Sequence, residues 1–286
     1  MILFGEDKYI PALKEMWKLC FLDEDSFIDF YFDQVYKNEE TLVYLENGIP
    51  AAAFQMIPYS LKNGAETFPA GYISGAMTHP DFRRKGFMRD LLFSSFDIMR
   101  ERGFDYTFLI PQEEWLFDFY RKFGYKETKE VNWKPARHCE DEVRSNPVKT
   151  NNLDCFTASQ FAMTDATIYQ TYFRFLSKIL QVVLKTETQF KQILYDFFNN
   201  DGVLFASEQG IAFTFKGKKQ IMVKEFFYQN QKVKDMFLKG IQDYYAKEKV
   251  KIISSSEKLS GTKGMIKRLN DEKPEISALY ISMMMD

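Results

Sequence analysis

The sequence predicts an α/β (α+β) fold with two domains in tandem, each a mixed, partly parallel, twisted sheet flanked by helices. Two observations support this prediction. The chain has 286 residues, which is long enough for two domains with separate cores. Segments of helical and strand periodicity also follow each other in a similar order twice, on either side of a polar stretch. We therefore place one domain at residues 1–134, a linker at 135–150 and a second domain at 151–286.

The first domain is predicted from its turns and from its apolar spacing. Asn47-Gly48 joins two apolar runs and is the typical turn of a two-residue hairpin. Gly103 and Pro111 bound a short apolar run that predicts a buried strand. The predicted elements are, in order, a strand at 1–4, helices at 9–20 and 23–36, strands at 41–46, 49–60 and 67–78, a helix at 87–102, a strand at 105–110, a helix at 115–123 and a strand at 126–133.

The second domain repeats this order. Two amphipathic helices precede three strands, a long helix and a further strand, as in the first domain. The predicted elements are a strand at 153–158, helices at 165–180 and 186–198, strands at 203–207, 211–216 and 220–227, a helix at 231–247, a strand at 250–254, a short helix at 264–269 and a strand at 276–285.

The net charge and the distribution of apolar and acidic residues along the chain exclude several classes of protein. The net charge is −2, whereas a nucleic-acid-binding protein normally carries a basic surface. Acidic residues appear by Glu6, before any long apolar stretch, so we expect no signal peptide. No apolar run approaches the length of a membrane span. We therefore expect no nucleic-acid or membrane partner.

Cysteine and histidine are scarce. The three cysteines, Cys20, Cys139 and Cys155, are far apart, which argues against a disulfide framework and for the cytoplasm. The two histidines, His79 and His138, are too few for a zinc or iron site built on imidazole. We expect no metal.

The most informative segment is a basic turn between a predicted strand and a predicted helix. It runs from Arg83 to Asp90 and contains one glycine, Gly86. A glycine lets the backbone approach a ligand closely, and the N-terminus of a helix favours anions because its N–H groups and its dipole point outward. The segment therefore predicts a site for a pyrophosphate.

This strand, Arg-x-x-Gly and helix arrangement resembles the coenzyme-binding motif of the GCN5-related N-acetyltransferases (GNAT), whose loop binds the pyrophosphate of acetyl-coenzyme A. The family usually has Gly or Ala where this chain has Met88. The resemblance implies that acetyl-coenzyme A is the co-substrate. The residues implied to contact it are Ala76, Met77, Thr78, Arg83, Arg84, Lys85, Gly86, Phe87, Met88 and Arg89.

A second match to the family follows the next predicted strand. The family has a helix ending in Phe-Tyr and then, a few residues later, Gly-Phe; this chain has Phe119-Tyr120 and then Phe123-Gly124-Tyr125. By resemblance, Tyr120 protonates the coenzyme A thiolate as it leaves.

The resemblance also suggests residues for the acceptor and for the general base. The first two helices of the family's fold usually wall the acceptor pocket, which implies Phe21, Phe27 and Tyr31 as lining residues. Glu113 or Glu114 could serve as the base, although acidic residues before a helix also suit its dipole.

The second domain lacks the basic turn, because Tyr228 to Lys232 contains neither a glycine nor an arginine. This layout resembles the Eis-like branch of the family, in which an active domain precedes an inactive one. In that branch the C-terminal carboxylate acts as base, which here implies Asp286. The second domain is then a degenerate copy that shapes the acceptor pocket or stabilises a dimer.

Together these features predict an N-acetyltransferase that transfers an acetyl group from acetyl-coenzyme A to a primary amine of a small molecule or peptide. Two alternatives stay open: a coenzyme A binding module without catalysis, and an aminoacyl-tRNA-dependent transferase, which also joins two acetyltransferase-like domains. The sequence is compatible with a homo-oligomer and does not determine the oligomeric state.

Overall fold

Two β-sheets and seven α-helices make up the part of the chain that the computed structural model describes, residues 1–129, 164–246, 249–282 and 284. One sheet has eight strands and the other four, and each combines parallel with antiparallel pairing. Helices flank both sheets. The predicted mixed α/β fold class is confirmed.

The first half follows the predicted order. Its apolar residues return at helical spacing in the helices, and Asn47-Gly48 forms the turn of a long hairpin. The elements are β1 (Ile2–Phe4), α1 (Ile10–Phe21), α2 (Asp25–Gln34), β2 (Thr41–Glu46), β3 (Ile49–Asn63), β4 (Glu66–Thr78), α3 (Phe87–Glu101), β5 (Tyr106–Leu109), α4 (Glu114–Arg121) and β6 (Lys126–Glu127), with 3₁₀ turns at Asp7–Tyr9, Asn38–Glu40 and Pro80–Phe82.

The second half also keeps its three longer predicted helices and its three central strands. It adds a short strand, β7, that the sequence did not predict. The elements are α5 (Asp165–Leu176), β7 (Gln181–Leu184), α6 (Glu187–Asn199), β8 (Val203–Ser207), β9 (Gly210–Lys216), β10 (Ile221–Tyr228), α7 (Gln231–Tyr245), β11 (Val250–Ser255) and β12 (Met265–Arg268).

Two predicted elements near the end of the chain are wrong. The predicted helix at 264–269 is the strand β12, whose short apolar run is compatible with either structure until its partners are known. The predicted strand at 276–285 is reduced, within the described residues, to isolated bridges at Ala278 and Tyr280. The predicted strand at 153–158 and the predicted linker lie outside the described residues.

The eight-stranded sheet draws strands from both halves. Its order is β1-β2-β3-β4-β5-β12-β6, and β7 pairs with the far end of β3. β12 is antiparallel to both of its neighbours, β5 and β6. The division of the chain at residues 134 and 151 stays a prediction, and strands from beyond residue 150 belong to the first sheet.

The four-stranded sheet has the order β8-β9-β10-β11. β10 and β11 are parallel and are connected through α7, just as β4 and β5 are parallel and connected through α3. The preceding strands are antiparallel in both sheets. The second half thus repeats the central topology of the first.

Candidate active site

The candidate site begins where two parallel strands separate. β4 and β5 are paired only from Ala70 to Tyr72 on β4, although β4 continues to Thr78. The pairing of β4 with β3 also shifts register near Gly75. Gly75 has a φ of +60°, and a Cβ there would lie 2.6 Å from the indole of Trp17, so both backbone and space require glycine. Beyond Tyr72 a gap therefore opens between the two strands.

A cavity of about 70 Å³ occupies this gap. Four predicted site residues from different elements meet in it: Phe21 from α1, Tyr31 from α2, Ala76 from β4 and Tyr120 from α4. The complete lining is Trp17, Phe21, Asp23, Tyr31, Tyr72, Ile73, Ser74, Gly75, Ala76, Leu109, Ile110, Pro111, Gln112, Leu116 and Tyr120.

One wall of the cavity is an aromatic cluster on the first two helices. The Trp17 ring lies 4.5 Å from the Tyr31 ring and 4.9 Å from the Phe21 ring, centre to centre. The Tyr31 hydroxyl shares a hydrogen bond of 2.9 Å with the Ser74 hydroxyl, which fixes α2 against β4. Predicted Phe27 packs against Trp17 but lines an adjoining cavity instead.

The basic turn lies at the N-terminus of α3. Gly86 is the N-cap residue, with a φ of +89°, and no side chain caps the helix. The first backbone N–H groups of a helix have no intrahelical partner, so here they can bind an anion. Arg84 and Lys85 are exposed beside them. The turn therefore combines free backbone donors with positive charge.

The other basic side chains of the turn have partners within the protein. The Arg83 Nε donates to the Thr78 carbonyl at 3.2 Å, and this hydrogen bond holds the turn against the end of β4. The Arg89 Nε donates to the Asp90 carboxylate at 2.9 Å. The Lys85 ammonium also has a partner, the Phe82 ring, whose centre lies 4.9 Å away, so Arg84 is the best placed of the predicted residues to contact a ligand with its side chain.

The apolar residues of the predicted coenzyme set contribute differently. Phe87 is buried and stacks on Tyr44 with 4.1 Å between ring centres, while Met88 is partly buried against the same core. Met77 is buried in the core on the opposite side of the sheet. Through their side chains these residues position the strand and the helix.

Tyr120 is almost completely buried at the base of the cavity, with 6% of its surface exposed. Burial raises the pKa of its hydroxyl above the ordinary value, since desolvation disfavours the phenolate. Its ring lies 5.8 Å from that of Tyr125, centre to centre. Tyr120 therefore keeps its proton at neutral pH and can donate it to a group bound in the cavity.

The predicted bases do not lie in the described part of the cavity. Glu113 is exposed, and its carboxylate accepts a hydrogen bond from the Trp115 indole rather than facing the gap. Asp286 lies outside the described residues. The structure instead places Asp23 in the cavity wall, where its carboxylate accepts a hydrogen bond of 2.8 Å from the Trp17 indole.

The described residues contain no group of three or more His, Cys, Asp or Glu side chains that could hold a metal ion. No helix among them is long and apolar enough to cross a bilayer. His138, Cys139 and Cys155 lie outside this part of the chain.

Comparison with known proteins relates this geometry to one family. Residues 4–128 match the family model of the acetyltransferase (GNAT) domain. A search of curated proteins finds no match.

Solved structures share the fold of nearly the whole chain. A GCN5-related N-acetyltransferase from Anabaena variabilis ATCC 29413 has a TM-score of 0.67 at 12% identity, covering 94% of this chain and 73% of that one. Eis1 from Mycobacterium abscessus has a TM-score of 0.67 at 11% identity, covering 94% and 74%. A probable N-acyltransferase from Enterococcus faecalis V583 has a TM-score of 0.67 at 11% identity, covering 94% and 72%.

Proposed function

We propose that the protein transfers an acetyl group from acetyl-coenzyme A to a primary amine of a small molecule, and the match of residues 4–128 to the acetyltransferase (GNAT) family model supports this proposal. One observation carries this proposal: the cavity that contains Tyr120 lies between separated parallel strands, next to an uncapped helix N-terminus with exposed basic side chains. A donor that joins a pyrophosphate to a thioester through an extended arm suits that arrangement.

The coenzyme would be held along the edge of β4. The N-terminus of α3, with Arg84 and Lys85, binds the pyrophosphate through backbone N–H groups and charge. The arm of the coenzyme contains amide groups, which can pair with the backbone of β4 beyond Tyr72, where β5 no longer does. The thioester then reaches the cavity beside Tyr120.

The reaction needs a base, an oxyanion site and an acid. An alkylammonium has a pKa of about 10.4 and must lose its proton before it attacks the thioester carbonyl. Asp23 is the carboxylate that lines the cavity and is our proposed acceptor of that proton. Backbone N–H groups of Ala76 to Thr78 are the proposed oxyanion donors, and loss of one such donor costs about 3 kcal/mol.

Tyr120 completes the transfer. The C–N bond forms first and leaves a tetrahedral oxyanion. When the carbonyl re-forms, the C–S bond breaks, the departing thiolate takes the Tyr120 proton, and the phenolate regains a proton from solvent. Burial raises the pKa of Tyr120, which alone would weaken it as an acid. The same desolvation raises the pKa of a thiolate formed beside it, so the proton transfer stays feasible.

The test combines binding with turnover. We expect acetyl-coenzyme A to bind in a calorimeter, and free thiol to appear when the protein is mixed with it and a panel of alkylamines, amino acids, polyamines and aminoglycosides. Tight binding without acetylation of any amine would instead favour a coenzyme A binding module. Binding of aminoacyl-tRNA without binding of acetyl-coenzyme A would favour the aminoacyl-transferase.

A further inference from the structure

The cavity beside Tyr120 is too small for a whole acceptor. Its volume is about 70 Å³, while one water takes about 30 Å³ of liquid volume. Pockets that bury a typical small ligand measure roughly 300–1,000 Å³. The cavity therefore has room for the reacting groups, and the remainder of a larger acceptor must extend beyond it.

Two larger cavities lie beside this one, in the direction of the second half. The middle cavity, of about 320 Å³, shares Asp23 with the cavity at Tyr120. The distal cavity, of about 540 Å³, shares Asp196 and Asn200 with the middle one. Neighbouring cavities thus share wall residues from Tyr120 to the four-stranded sheet, and an extended ligand that crosses these walls would reach all three.

The seam between the halves holds this series in place. The Phe30 ring of α2 stacks on the Tyr195 ring of α6 with 4.1 Å between centres. At the other end of α6, the Gln189 side-chain amide donates to the Pro58 carbonyl of β3 at 2.8 Å. Since α6 carries Asp196, its docking onto the first half determines where the middle and distal cavities meet.

The middle cavity is acidic. Asp23, Glu24 and Asp196 line it. Asp196 is half-buried, and desolvation raises the pKa of its carboxyl, while Asn200 Nδ2 donates to it at 2.9 Å. The middle cavity therefore favours an ammonium group that passes toward Tyr120.

The distal cavity is different, because apolar side chains provide the larger share of its exposed surface. Its charged groups have partners: Asp196 accepts from Asn200, Glu225, 3% exposed, accepts hydrogen bonds of 2.9 Å from the hydroxyls of Tyr172 and Tyr280, and the Lys224 ammonium lies 5.3 Å from the centre of the Phe215 ring. The apolar side chains that line it are Ile193, Phe197, Phe215, Ile253, Ile281 and Met284.

We propose that the acceptor is an extended primary amine whose distal end is an apolar group, aromatic or branched aliphatic, bound in the cavity of the second half. This inference rests on the proposed function and adds the class of acceptor to it. The second half then selects the substrate, while the first half carries out the transfer.

The experiment measures kcat/KM on the full chain for ethylamine and for ω-phenylalkylamines of increasing length. We expect kcat/KM to rise with length to at least about tenfold above ethylamine, as the phenyl group enters the distal cavity. Ile253→Asp places a charge in that cavity at a side chain that is 39% exposed, so the fold should tolerate it. It should lower kcat/KM for the longest phenylalkylamine at least about tenfold more than kcat/KM for ethylamine, which removes the length dependence.

Ile49→Asp is the matched control, because Ile49 is 57% exposed and lies outside the three cavities. A rate that does not depend on length, or an equal effect of Ile253→Asp on all amines, would overturn the inference. If no amine is acetylated, the proposed function fails. Calorimetry with the longest phenylalkylamine then tests by itself whether the distal cavity binds an apolar group. Binding that Ile253→Asp abolishes supports the distal cavity as an apolar site, and absence of binding rejects it.

Discussion

The two strand–helix–strand units of the molecule, β4–α3–β5 and β10–α7–β11, have the same topology, but only the first opens a cavity between its parallel strands. In the first, pairing stops at Tyr72 and Phe108 while β4 continues. In the second, pairing continues to Phe226 and Ser255, close to the end of both strands. The second unit therefore leaves little backbone free for a ligand to pair with.

The helices of the two units also begin differently. α3 begins at Gly86 without a side-chain cap, whereas α7 begins at Asn230, whose side chain accepts a hydrogen bond of 3.1 Å from the Val233 N–H. The second helix thus satisfies one of its terminal donors within the protein. The first leaves its donors for a ligand.

A strand irregularity alone does not distinguish the units. β10 shifts register against β9 between Val223 and Glu225, much as β4 does against β3 near Gly75. At this place the first unit has a glycine under the Trp17 ring and the second has a buried glutamate held by two tyrosines. The candidate site therefore depends on two features together, the separated strands and the uncapped helix.

The largest effect should come from reversing the charge of the turn. In the double variant Arg84→Glu, Gly86→Glu, the affinity for acetyl-coenzyme A should fall more than about 100-fold, because charge-assisted hydrogen bonds are lost and repulsion is added. Calorimetry measures the affinity for acetyl-coenzyme A, and circular dichroism checks that the variant is folded. The matched change Lys232→Glu at the start of α7 should leave the affinity unchanged. Equal losses in both variants would remove the distinction between the units.

Tyr120→Phe should lower kcat by roughly 10² to 10⁴, the usual contribution of a general acid, without weakening acetyl-coenzyme A binding. Tyr125→Phe is the control, because it removes a buried hydroxyl nearby that is bonded to Thr107 at 3.1 Å. Burial raises the pKa of Tyr120, so it stays protonated where an ordinary tyrosine would titrate, and the wild-type rate should not decline between about pH 9 and 11 for lack of that proton. Similar rates for Tyr120→Phe and the wild type would exclude Tyr120 as the acid.

The smallest effect should come from the cap of the second unit. Asn230→Ala should lower the free energy of unfolding by about 1 kcal/mol, measured by urea denaturation, with no change in coenzyme affinity. Asn230→Ser should restore most of that stability, since serine also caps helices. A loss of coenzyme affinity in Asn230→Ala would show that the second helix start contributes to binding after all.

The sequence predicts most of the first half because its signals are local. Asn47-Gly48 sets a hairpin, and the charge and glycine of the turn at Gly86 identify a helix start that can bind an anion. The resemblance to the GNAT family, based on that turn and on Phe119-Tyr120, is confirmed by the family model. The roles of the individual site residues stay predictions.

Features that depend on distant contacts are not visible in the sequence. Met265 to Arg268 becomes a strand because β5 and β6 offer it partners on both sides. Asp23 appears in a polar connection between two helices, and only the packing of those helices brings it to the cavity. The separation of β4 from β5 is likewise a property of the assembled sheet.

The position of β12 between β5 and β6 has a consequence for how the chain is made. During synthesis both neighbours leave the ribosome well before β12 and expose unpaired edges, which are prone to wrong pairing. Insertion of β12 between β5 and β6 needs contacts between residues far apart in the chain, and such contacts slow folding. The candidate site, which lies beside β5, therefore matures only after the second half has been translated, and a gene fragment that encodes residues 1–129 alone would yield a sheet with a strand missing.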